Sequence, residues 1–108
     1  MYIDKLVKFK GESLTVDIGH YSNGQIYIRL YDANGCVYMM ASTAYDNAMV
    51  DPAAGDVIIK NYSENHGILD ALIKADIIEK PHATFPVNHG TFTKAKYKHR
   101  SKKIRIPT

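Results

Sequence analysis

Apolar and polar positions alternate most clearly between residues 13 and 43. Leu14, Val16 and Ile18 fall on one face of a first period-two run. Ile26, Ile28 and Leu30 do the same in a second run, which places Tyr27, Arg29 and Tyr31 on the opposite face. A third run, Cys36 to Thr43, alternates less cleanly, as a more buried strand would. The connections Tyr21–Gln25 and Asp32–Gly35 each contain Asn-Gly. That dipeptide predicts type I′ hairpin turns, and turns so short force antiparallel neighbours. Upstream, Leu6 to Lys10 alternates loosely and stops at Gly11.

The second half is more mixed. Residues 44–55 read as a loop, rich in Asp, Asn, Pro and Gly. Asp56 to Asn61 is a short apolar strand. Ile68, Leu69, Leu72 and Ile73 make one apolar stripe, which predicts a helix over about residues 65–75. Ser63 or Asn65 is the expected N-cap, and Gly67 weakens the first turn by about 1 kcal/mol. Pro81, Pro86 and Gly90 punctuate an irregular stretch. Phe92 to Tyr97 reads as a last strand, with Lys94 and Lys96 on the face of Phe92. The expected fold is therefore α+β, an antiparallel sheet of four to six strands with one main helix packed on one face. Residues 1–93 form the expected single domain, and residues 94–108 a basic C-terminal tail or edge strand.

Composition fits one folded domain of 108 residues. Hydrophobic residues are 45% and charged residues 23%, which excludes bulk disorder. A single cysteine, Cys36, excludes an intrachain disulfide framework. No run approaches the length of a membrane span, so no membrane partner is expected. No basic segment leads into an apolar run at Met1, so a cytoplasmic location is expected.

Charge changes the picture more. The net +3 hides an asymmetry: all eleven Asp and Glu precede residue 81. Seven bases cluster in the acid-free remainder: Lys94, Lys96, Lys98, Arg100, Lys102, Lys103 and Arg105. Such a block reads as a solubilising terminus, a nucleic-acid-contacting arm or a surface for an acidic protein.

Two sets of residues are candidate binding surfaces. Tyr27, Arg29 and Tyr31 share a strand face, with Tyr38 aligned across the second hairpin; such a face suits a partner protein or stacked bases. Equally, cross-strand Tyr and Arg pairs stabilise a half-exposed sheet by themselves. Tyr62, Ser63, Glu64, Asn65 and His66 join a strand to a helix, a place where an anion can sit or where caps simply shape a corner. No metal-ligand spacing joins the five histidines, so no metal or cofactor is expected. No catalytic residues are assigned, and the enzyme reading would need a site near His66.

Two segments carry a resemblance. Residues 21–43 (Tyr-Ser-Asn-Gly-Gln-Ile onward) and residues 55–78 resemble a family of small uncharacterised bacterial proteins encoded on plasmids, phages and other mobile elements. Asn61-Tyr62-Ser63-Glu64-Asn65-His66-Gly67 is the most distinctive string. The resemblance implies a mobile-element accessory protein and carries no chemistry with it. The expected function is thus non-catalytic binding through a protein partner. The alternatives are nucleic-acid binding through the basic C-terminal segment and a small enzyme near His66. Homo-oligomerisation remains open.

Overall fold

A computed structural model describes residues 1–81, 83–88 and 90–98. Strands β1 (Tyr2–Phe9), β2 (Glu12–His20), β3 (Ile26–Tyr31) and β4 (Val37–Met40) form an antiparallel meander in that order. Strands β5 (Asp56–Lys60), β6 (Ala83–Val87) and β7 (Gly90–Lys96) form a second antiparallel sheet, ordered β5-β7-β6. One helix, α1 (Ile68–Lys74), packs against β1 and β5. The fold is α+β, with the helix on the four-stranded sheet as expected. The separate three-stranded sheet was not anticipated.

β2 and β3 follow their alternation, whereas β4 is not the more buried strand its pattern suggested, with Val37 and Tyr38 exposed at the sheet edge. Val16, Leu30 and Ile28 are fully buried, while Tyr27, Arg29 and Tyr31 face away from the core. The turns differ from expectation. At both Asn-Gly sites only the glycine has positive φ, 88° at Gly24 and 82° at Gly35. Gly24 N–H donates to Tyr21 O and Gly35 N–H to Asp32 O. Each loop is therefore a three-residue connection, a type I turn closed by a left-handed glycine, in place of the expected type I′. Asn23 Oδ1 accepts from Gln25 N–H, and Asp32 Oδ1 accepts from Asn34 and Cys36 N–H, which holds both loops.

Residues 41–43 stitch the two sheets together. Ala41 N–H donates to Ile28 O at 2.9 Å, and Ala41 O accepts from Lys60 N–H at 2.9 Å. Ser42 sits opposite Ile59, and its buried hydroxyl accepts from Ile28 N–H at 2.8 Å. The shared core takes Leu14, Val16 and Leu30 from the meander, Ile68 and Leu72 from α1, and Val57 and Ile59 from β5. Ile77 and Ile78 are also buried in it, and Ile78 pairs with Tyr97.

Two further corrections matter for the site. Residues 83–87, expected to be irregular, form β6, because Pro86 lies on an edge strand where its missing N–H costs no ladder bond. Lys94 and Lys96 are neither tail nor edge: β7 is the central strand of its sheet, between β5 and β6. The chain stays anchored beyond it, with Tyr97 N–H donating to Gly55 O and Lys98 N–H to Ile77 O. Among the described residues no helix is long and apolar enough to cross a membrane.

Candidate functional site

The tyrosine face of the meander is packed against itself. Tyr27 lies over Gly19, where an added Cβ would meet the ring at 2.4 Å. Tyr21 meets Tyr27 edge-on at 5.6 Å, and Tyr2 meets Tyr31 at 5.5 Å. The Arg29 guanidinium sits between Tyr27 (4.9 Å) and Tyr31 (6.0 Å), with its Nε 4.0 Å from Asp17 Oδ2. Ring and guanidinium contacts along β3, with others reaching β1 and the end of β2, thus support this sheet face from within. Tyr38 stands apart, at the irregularity where β4 shifts register against β3.

The 61–66 junction is built differently from its sequence reading. Ser63–Asn65 is a single 3₁₀ turn, and α1 starts only at Ile68, with Gly67 at the N-cap position. Neither Ser63 nor Asn65 caps it. Asn61 does so from upstream: its Oδ1 accepts from Gly67 N–H at 3.1 Å and from Leu69 N–H at 2.9 Å. Buried Asn65 instead donates its side-chain amide to Met40 O at 2.9 Å, tying the corner to β4. Ser63, Glu64 and His66 are exposed. Asn61→Ala is expected to cost about 1 kcal/mol, the usual price of losing a helix cap. Its chemical-denaturation midpoint should fall while the slope stays that of the parent chain.

The corner and Tyr38 frame a groove of about 450 Å³, which also takes in Lys10, Lys60, Glu64 and Asn65. A second, shallower cavity of about 320 Å³ adjoins it, lined by Lys60, Tyr62 and the 3₁₀ turn. Tyr38, Glu64 and Asn65 are thus brought together, whereas Tyr27, Arg29 and Tyr31 lie on the outer face of the meander. Neither of these two cavities takes in His66 or Asp56. Among the described residues no group of three or more His, Cys, Asp or Glu side chains is placed to hold a metal ion. His82 and His89 lie outside the described residues.

The basic segment is partly structural. Lys96 Nζ donates to Asp56 Oδ1 at 2.9 Å, and Lys94 Nζ lies 3.8 Å from Asp56 Oδ2 while donating to Met49 O at 2.8 Å. Asp56 is buried and also accepts from Asp51 N–H at 2.8 Å. Burial pushes its pKa up, but the Asp51 amide, Lys96 and Lys94 together outweigh it and hold the carboxyl below its usual value. Lys98 pairs with Asp76, which Lys5 also approaches at 3.5 Å. The hydrogen bond from Lys98 lowers the Asp76 pKa and raises that of Lys98. Each of the two carboxylates is therefore approached by two lysines, and Glu79 adds a further negative charge near Lys98. Arg100, Lys102, Lys103 and Arg105 lie outside the described residues.

A cluster of rings, of which the sequence singled out Tyr62 but not the grouping, lies on the same face of β7 as Lys94 and Lys96. Lys60, Phe92 and Phe85 stand in register across the sheet. Tyr45 packs on Phe85 at 5.3 Å and on Phe92 at 5.2 Å. Tyr62 lies almost parallel to Phe92, with centroids 6.3 Å apart and an interplanar angle of 17°. Tyr62 also covers Gly90, where a Cβ would meet its ring at 2.8 Å. Gln25 holds Tyr45 by both main-chain groups, donating Nε2 to its O at 2.6 Å and accepting from its N–H at 2.7 Å. The only local signal was the shared parity of Phe92, Lys94 and Lys96.

Fold and site together define a small α+β protein with a basic central strand, a paved aromatic sheet face and no assembled metal cluster among the described residues. Comparison with known proteins returns no matching family model, no matching curated protein and no matching solved structure.

Proposed function

We propose that the protein is a non-catalytic nucleic-acid-binding protein that contacts phosphates through its basic C-terminal segment. One observation supports this above the others. β7 carries Phe92, Lys94 and Lys96 on one face and leads into Lys98, where four lysines share two carboxylates. Arg100, Lys102, Lys103 and Arg105 follow in sequence with no acidic residue among them. Lys94 works chiefly inside the fold, its side chain only 12% exposed. Lys96 and Lys98, 34% and 43% exposed, keep part of their charge at the surface. Phosphate contacts of this type set affinity and not sequence preference.

This reading ranks above a protein partner on the tyrosine face, because Tyr27 and Tyr31 already pack on Arg29 and on neighbouring rings. A nucleic-acid-binding accessory role also suits the mobile-element context that residues 21–43 and 55–78 suggest. The test leaves the described residues unchanged: Arg100, Lys102, Lys103 and Arg105 are all replaced by glutamine in the full chain. Fluorescence anisotropy with a labelled oligonucleotide at about 50 mM salt should show affinity falling by about a hundredfold. Equal binding by the two chains would contradict the proposal.

A further inference from the structure

The paved face of the second sheet has a chemistry of its own. Tyr62 and Phe92 are nearly parallel, and Phe85 stands beside Phe92 on the edge strand. All three are half-buried, so they are held in place yet keep surface open. Tyr62 is pressed flat because Gly90 has no side chain, and Tyr45 braces the other two rings from the loop. Lys60 is in register with Phe92 and lines the open cavity beside Tyr62. Its ammonium has no hydrogen-bond or ion-pair partner among the described residues. Rings fixed on a sheet beside an uncommitted cation are what unpaired bases need: a π-face to stack on and a charge for the adjoining phosphate. A duplex keeps its base faces covered and could use only the cation.

We propose that Tyr62, Phe92 and Phe85, with Lys60, form a stacking platform for unpaired bases, so that the preferred ligand is single-stranded nucleic acid. This rests on the nucleic-acid reading above and specifies its substrate. The track runs along β7, with bases at the Phe92 end and the backbone passing toward Lys96 and Lys98. Glu64 borders the same cavity and is the one opposing charge there. It limits backbone affinity at that end.

The test compares a labelled short oligothymidylate with a duplex of equal length, using the full chain, a Tyr62→Ala variant and the four-glutamine variant. Tyr62→Ala should weaken oligothymidylate binding roughly tenfold and leave duplex binding within twofold. Because Tyr62 covers Gly90, the same question is put to the unaltered chain by aromatic NMR. The ring signals of Tyr62, Phe85 and Phe92 should shift on adding oligothymidylate, while those of Tyr27 and Tyr31 stay in place. Unmoved platform rings, or a Tyr62→Ala variant equal to the parent, would overturn the platform. The phosphate-contact reading would survive that result if the four-glutamine variant still lost binding. Absence of binding by the parent chain would remove both.

Discussion

Replacing Asp56 by alanine is expected to lower stability by about 3 kcal/mol, the cost of breaking a buried ion pair from one side. The carboxylate is buried at the start of β5 and gathers Asp51 N–H, Lys96 and Lys94 around it. Its loss leaves Lys94 inside the fold with Met49 O as its hydrogen-bond partner among the described residues, and frees the chain entry into β5. For a chain of this length the melting temperature should fall by more than about 10 °C. Asp56→Asn should cost less, because an amide oxygen can still accept from Asp51 N–H.

The two variants also differ in pH response. The folded pKa of Asp56 is depressed, so its contribution is complete above the unfolded value of about 3.9 and drains away as pH falls through the folded value. The parent chain should therefore lose stability on acidification below about pH 4, and Asp56→Asn should show a shallower loss. Parallel acid profiles for the two chains would show that Asp56 does not carry this dependence.

Leu72→Ala is the second large effect, at about 2–5 kcal/mol. α1 is seven residues long, too short to persist by its own hydrogen bonds. It is held because Ile68 and Leu72, both fully buried, insert between β1 and the second sheet. Truncating Leu72 opens a cavity where the two sheets and the helix meet. The urea midpoint should drop with an unchanged slope. A change below about 1 kcal/mol would mean that the core closes over the gap and is packed more loosely than this structure shows.

What could be read from the sequence was local. The meander was legible because period two and Asn-Gly act over a few residues, and the apolar face of residues 26–30 is the buried one. The turn type was missed because Asn-Gly also suits a type I turn closed by glycine, and Asx hydrogen bonds from Asn23 and Asp32 select it. The start of the helix was misread for a related reason. Its cap comes from Asn61, six residues before Gly67, across a 3₁₀ turn that no helical periodicity spans. β6 was hidden by Pro86, which argues against a strand everywhere except at an edge.

The candidate site was less legible still. Tyr45, Tyr62, Phe85 and Phe92 come from four separate stretches of chain, and only the β5-β7-β6 order brings them together. The basic segment was visible as charge, but the commitment of Lys94 and Lys96 to Asp56 was not, because some forty residues separate them. The tyrosine face of the meander was read correctly in parity. Its internal stacking, with Tyr27 on Gly19 and Arg29 between two rings, needed the register of β2 against β3.

The most direct measurement is the salt dependence of oligothymidylate affinity for the unaltered full chain, titrated between about 50 and 200 mM salt. A basic segment contacting four or more phosphates should give a slope of log affinity against log salt of roughly −3 or steeper. A flat slope, or no binding at the lower salt, would contradict nucleic-acid recognition by this protein.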